Sequence, residues 1–155
     1  MALNADQRRG DVMPRVVVSS DFPPLDVIPG GSRRGPDHKR SDPDDVQSMV
    51  RFLVSTNAFQ VEGLIAAAGT LANVANKHHL FDILDRYDHV VDTLQEHDAS
   101  YPTAEELRSV TTEGLDGTYG QPASEILGDG CDSEASEHII DLLEDPNPHP
   151  IWFLF

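Results

Sequence analysis

The sequence predicts a three-layer α/β domain built on a mostly parallel sheet. Three observations carry that expectation. Residues 15–20, 61–66 and 151–155 form apolar runs without alternation of polar and apolar positions, as in strands covered on both faces. Segments of helical periodicity separate those runs. The length of 155 residues, with 39% hydrophobic and 25% charged side chains, suits one globular domain. Residues 1–13 read as a polar N-terminal tail and residues 14–155 as the N-terminal part of that domain.

Arg15-Val-Val-Val-Ser-Ser20 is the first strand. The segment 21–41 holds Pro23, Pro24, Pro29, Pro36 and the glycines Gly30, Gly31 and Gly35, so it reads as a long irregular loop. Arg33, Arg34, Lys39 and Arg40 concentrate much of the chain's positive charge there. Asp42-Pro43-Asp44-Asp45 opens a helix to about residue 57, with Asp42 as cap, Pro43 in its first position and Val46, Met49, Val50, Leu53 and Val54 on one face. With the strand at 61–66 it proposes a right-handed parallel βαβ unit. Gly69-Thr70 ends that strand in a loop.

A helix is expected over 73–87, continuing or restarting to 96, on Leu80, Ile83, Leu84, Val90, Val91 and Leu94. Pro102 starts a short helix over 103–110. Glycines at 114, 117, 120, 128 and 130 make 111–132 mostly irregular, with a helical turn at 123–127. Residues 133–144 are helical on Ala135, Ile139, Leu142 and Leu143, capped by Asp132 or Ser133. The run Ile151-Trp-Phe-Leu-Phe155 reads as an interior strand of a parallel sheet, which places Trp152 and Phe153 in the core. It also implies a sheet that continues past Phe155, so that the domain is truncated at its C-terminus.

Composition excludes several functions. A net charge of −16 repels phosphates, so nucleic acid is not the expected partner. No run of apolar residues is long enough to span a bilayer, and the N-terminus lacks the apolar segment of a secretory signal, which leaves the cytoplasm as the default compartment. Cys131 is the single cysteine, so neither an intrachain disulfide nor a cysteine-based zinc site is available. His78 and His79 are adjacent and point to different helix faces, which makes them poor joint metal ligands.

The chemistry concentrates in carboxylates. Asp21 follows the carboxyl end of the first strand, where open α/β sheets hold their ligands, and Asp42, Asp44 and Asp45 start the next helix. Four converging carboxylates repel one another unless protonated or bound to a cation, and such hard oxygen donors suit Ca²⁺ or Mg²⁺. The alternative is structural: Asp at a helix cap and first turn stabilises the helix by itself.

The segments Arg15-Val-Val-Val-Ser-Ser-Asp21, Ser41-Asp-Pro-Asp-Asp-Val-Gln-Ser-Met-Val-Arg-Phe-Leu53 and Phe59-Gln-Val-Glu-Gly-Leu-Ile65 resemble the nucleoside-hydrolase-like domain of the cellulose-binding protein family. So do His97-Asp-Ala-Ser-Tyr-Pro-Thr-Ala-Glu-Glu-Leu-Arg108, Asp132-Ser-Glu-Ala-Ser-Glu137 and Pro150-Ile-Trp-Phe-Leu-Phe155. That family is similar in turn to the inosine-uridine nucleoside hydrolases. The resemblance implies their three-layer fold and an Asp-rich site for Ca²⁺ and ribose. By that resemblance Asp21 is a calcium ligand and the general base on water, Asp44 the acceptor of a ribose hydroxyl, and Asp45 a bidentate calcium ligand. Thr70 stands where the hydrolases place a ribose-contacting Asn, and Ser19 where they carry a further Asp. Their compact Asp motif is split here by the loop 21–41, which leaves Asp42 as a rival base. The implied activity is metal-dependent hydrolysis of an N-glycosidic or related glycosyl bond in a small nucleoside or carbohydrate. The alternative is a non-catalytic carbohydrate- or cellulose-binding module on the same acidic site. Either reading leaves an oligomer open.

Overall fold

The structure, a computed structural model, describes residues 13–30, 35–36 and 39–155. The tail up to residue 12 and the expected loop cations Arg33 and Arg34 lie outside them. In chain order the elements are β1 (Arg15–Ser20), β2 (Ile28–Pro29), β3 (Arg40–Ser41), α1 (Asp44–Leu53), a 3₁₀ turn (Thr56–Ala58), β4 (Gln60–Ala66), α2 (Lys77–Asp88), α3 (Val91–His97), α4 (Ala104–Ser109), β5 (Thr111–Glu113), α5 (Ala123–Ile126), α6 (Glu134–Glu144) and β6 (Ile151–Leu154).

The main sheet runs β5-β4-β1-β6 and every pairing in it is parallel. Side chains of successive strand residues point to opposite faces, and both faces are covered. Leu64 and Ala66, with Val18 against them, meet Met49 and Leu53 of α1, Leu80, Ile83, Leu84 and Tyr87 of α2, and Leu107 of α4. On the opposite face Val17, Ile65, Ile151 and Phe153 meet Ala135, Ile139 and Leu142 of α6. These are the three expected layers. The connections from β1 to β4 and from β4 to β5 use one face, and the return to β6 uses the other. The strand order therefore reverses beside β1, which places a topological switch point at the carboxyl end of that strand.

The opposite end of β1 is closed by a buried cation. Arg15 is 2% exposed. Its Nε donates to Glu62 Oε1 at 2.6 Å, one terminal nitrogen to Asp145 Oδ2 at 3.0 Å, and the other to the His149 carbonyl at 3.2 Å. The β1–β4 register slips here, Val16 pairing with Val61 but Val17 with Gly63, so Glu62 is the extra residue. Its carbonyl is met by His138 Nε2 of α6 at 2.6 Å. One irregular residue is thus held by its side chain to β1 and by its backbone to the covering helix.

Several expectations are corrected. Pro43, not Asp42, occupies the N-cap of α1, and no side chain caps that helix; the proline sits one position earlier than expected, and that leaves Asp42 outside the first turn. The helix expected from residue 73 starts at Lys77, because Asn76 caps it through a bond from the His78 N–H and Asn73 takes a left-handed backbone. The sequence gives no sign of the short strand β5, whose three residues pair with Leu64, Ile65 and Ala66. The two-residue pair β2–β3 inside the long loop is likewise illegible by pattern. Ser133 is the cap of α6, in a reciprocal bond pair with Ser136. Among the described residues β6 is an end strand, and Trp152, expected in the core, is 62% exposed, whereas Phe153 packs against the α6 layer. The reason is the pleat: with Ile151 and Phe153 turned toward α6, Trp152 and Leu154 face the other way, where no described helix covers β6.

Removing the Arg15 guanidinium would leave Glu62, itself only 16% exposed, without its cationic partner and with the Gln60 amide as its remaining donor. Arg15→Met should cost about 3 kcal/mol, lowering the melting temperature by roughly 10 °C in a domain of this size. Thermal unfolding of Arg15→Met and of Arg15→Met/Glu62→Leu checks this. The double variant should recover most of the loss, and a single variant as stable as the parent would show that the buried network does not hold the strand.

Candidate functional site

The candidate site lies at the carboxyl end of β1, beside the switch point. Ser20 ends the strand, and its Oγ donates to Asp45 Oδ1 at 3.0 Å, tying the strand end to the first turn of α1. Asp45 is partly buried there, while Asp42 and Asp44 are exposed. Burial pushes the Asp45 carboxyl above the ordinary aspartate range, the Ser20 hydroxyl pulls it back, and the charges of Asp21, Asp44 and Asp42 raise it further. The four carboxylates expected to converge thus share one electrostatic neighbourhood, with Asp45 at its most enclosed point.

Asp21 is placed by an absence of side chain. Its carboxylate occupies the space that a Cβ on the buried Gly69 would fill. Gly69 follows β4, so β1 and β4 approach closely just past the sheet, and any larger residue at 69 would displace Asp21. A small recess opens beside it, lined by Asp21, Phe22, Ser41, Gly69, Val74 and His79. His79 contacts the Phe22 carbonyl through Nδ1 at 3.2 Å and so forms part of the wall of this recess. Thr70 is exposed on the turn that follows, which is closed by the Asn73 N–H on the Gly69 carbonyl at 3.1 Å.

Of the residues singled out in the sequence, the structure brings Asp21, Asp45 and Asp44 to one rim, with Thr70 next to the glycine that seats Asp21. Asp42 is on the same rim as an exposed charge. Sequence reasoning missed Ser20 as the partner of Asp45 and Gly69 as the seat of Asp21. A glycine just past a strand was the available signal for the second. For a hard divalent cation the donors are right in kind, since they are carboxylate oxygens under mutual repulsion. They are few in number: among the described residues no three His, Cys, Asp or Glu side chains close on one point.

The family model described as cellulose-binding Sde182, nucleoside hydrolase-like domain, matches residues 36–155. A solved structure, that of a nucleoside hydrolase-related hypothetical protein from Saccharophagus degradans associated with carbohydrate metabolism, superposes with a TM-score of 0.71 at 29% identity. The match covers 92% of this chain and 30% of that one, so the chain spans under a third of the solved protein. No curated protein matches.

Asp45 binds its proton more tightly folded than unfolded, so its ionised form works against folding. That cost is complete above its folded pKa and fades as pH falls through it. In chelator, Asp45→Asn, which keeps an acceptor for Ser20, should therefore raise the melting temperature at pH 7 by roughly 1–3 °C. The gain should shrink as pH drops into the carboxylate range. Melting curves from pH 4 to 8 check this, and an Asn variant less stable than the parent at pH 7 would show that the Asp45 charge is compensated within the fold.

Proposed function

The chain belongs to the cellulose-binding Sde182 family as its nucleoside hydrolase-like domain, and from that membership we propose that its acidic rim serves a metal-dependent hydrolase of N-glycosidic or related glycosyl bonds. The observation that carries the reading is Asp45, a carboxylate enclosed beside Ser20 and crowded by Asp21, Asp44 and Asp42 at the switch point of a parallel sheet. Asp44 and Asp45 complement the first turn of α1, but their repulsion with Asp21 and Asp42 opposes that gain, and a bound cation would relieve it.

In this proposal Asp21 and Asp45 are ligands for Ca²⁺. When bound, the ion neutralises the carboxylates and makes a coordinated water more acidic. Asp21, fixed in position by Gly69, takes the proton of the attacking water. Asp44, exposed at the start of α1, accepts from a sugar hydroxyl, and Thr70 offers its own hydroxyl from the facing turn. Such contacts strengthen as positive charge develops on the sugar ring, which is where a glycosidase gains its rate. The substrate is a small nucleoside or glycoside. A −16 net charge disfavours nucleic acid, and among the described residues no helix is long and apolar enough to cross a membrane.

A second reading, a carbohydrate-binding module that grips sugar hydroxyls without turnover, is favoured by the cellulose-binding character of the family and by the sparse donor set. The two readings separate experimentally. With the intact protein and millimolar Ca²⁺, release of ribose from inosine and uridine and of reducing ends from cello-oligosaccharides is measured beside binding of the same compounds. Turnover that chelator abolishes, and that Asp21→Asn lowers by about 10²-fold or more, supports the hydrolase. Saturable sugar binding without turnover selects the module, and neither turnover nor binding overturns both.

A further inference from the structure

Asp21 stands between two residues that the helices of one layer hold. Before it, the Ser20 carbonyl accepts from the Ala67 N–H at 2.9 Å, and the Ser20 hydroxyl donates to Asp45 of α1. After it, Phe22 is 2% exposed in the core formed with α1 and α2, and its carbonyl oxygen lies 3.2 Å from Nδ1 of His79 on α2. A carbonyl oxygen only accepts, so Nδ1 carries the proton of this bond and the imidazole is the donor.

The sequence around that bond explains why a distant side chain makes it. Pro23 and Pro24 follow Phe22, and neither has an N–H with which the chain could tie itself to its neighbours. A residue before proline is also pushed toward extended backbone, which keeps Phe22 from curling into a helical turn. The next backbone donor recorded in this stretch is the Val27 N–H, on the Pro24 carbonyl at 2.9 Å. Between the end of β1 and that turn the hold therefore comes from another element. The start of α2 is fixed well enough to supply it: Asn76 caps the helix, the Lys77 N–H bonds Glu113 Oε2 at 3.0 Å, and Leu80 and Leu84 are buried in the core. His79 belongs to the first turn of that helix and lines the same recess as Asp21. Gly69 gives the Asp21 carboxylate its space, and His79 restrains the backbone that bears it.

We propose that His79 is a positioning residue for Asp21, acting through the Phe22 carbonyl. This rests on the reading of the acidic rim as a calcium site and deepens it. His79 has no contact with ion or sugar in that reading. Its part is to keep the Asp21 carboxylate in one place before a ligand arrives, so that little order has to be gained on binding. Residues that orient a metal ligand from behind are worth about 10- to 100-fold in metal affinity or activity when removed.

The test uses the intact protein, with calcium affinity measured by calorimetry on the metal alone, and kcat and KM from ribose release on inosine. His79→Leu, which keeps bulk without a donor, should weaken calcium binding about 10-fold and lower kcat about 10-fold, with KM within about twofold of the parent. His79→Asn should stay within about threefold of the parent, because the Asn amide nitrogen is bonded to Cγ as Nδ1 is and reaches the same carbonyl. His79→Gln, whose nitrogen lies one atom further out, should behave like His79→Leu. In an Asp21→Asn background, His79→Leu should add nothing to the loss, since the group it positions is already disabled. Parental calcium affinity and kcat in His79→Leu, or losses that add in the double variant, would overturn the positioning role and leave the calcium reading standing. If His79→Leu does not fold, the amide pair decides, and equal behaviour of Asn and Gln would overturn the role. A parent without calcium affinity would overturn the metal site, and with it the placing of its ligand by His79.

Discussion

The buried guanidinium of Arg15 is the constraint on which the arrangement of this sheet depends. A cation at 2% exposure is tolerable only with its hydrogen bonds answered, and here three residues answer them: the extra residue Glu62 of β4, Asp145 just past α6, and the His149 carbonyl just before β6. Glu62 and the α6–β6 connection that holds both Asp145 and His149 are far apart in sequence, so the network fixes which strands flank β1 and in what register. A one-residue slip of a strand would exchange its two faces. The fixed register at the amino end is what delivers Ser20 and Asp21, at the other end of the same strand, to the start of α1.

Much of this was legible in the sequence because burial on two faces leaves a composition signature. The runs at β1, β4 and β6 are apolar without alternation, and the helices between them carry their apolar stripes at helical spacing, so the three layers could be read directly. What escaped reading was set by partners distant in sequence. β5 has three residues, two of them threonine, and is a strand only because β4 offers it a ladder. α2 starts after Asn76 and not at residue 73, where Asn73 is committed instead to the loop around Tyr119, 46 residues away. Trp152 was assigned by the company it keeps in an apolar run, whereas its exposure follows from the pleat and from which face of β6 the helix α6 takes.

The acidic rim was legible in part for a similar reason. Asp21 at a strand end and the Asp-rich helix start are local patterns, and topology alone brings them together. The cap expected at Asp42 failed because Pro43 occupies that position, which removes the simplest structural account of one carboxylate. The roles of Ser20 and Gly69 were not readable, since each is defined by a residue on another element: Ser20 by the Asp45 carboxylate, Gly69 by the Asp21 side chain that fills its missing Cβ.

Electrostatics then distinguishes the two ends of the sheet. At the amino end acids surround a buried base, and charge and hydrogen bonding agree with the fold. At the carboxyl end acids face acids, with the Ser20 hydroxyl as the donor recorded on the most enclosed of them. A chain with 27 acidic residues could place such side chains anywhere on its surface, where water would screen them. Enclosing one of them beside a glycine-seated neighbour, at the point where strand order reverses, is the observation on which the proposed ligand site rests. Paired charges sit where the sheet begins and like charges where it ends, so the central strand keeps its register through a network separate from the rim to which the proposed function assigns a ligand.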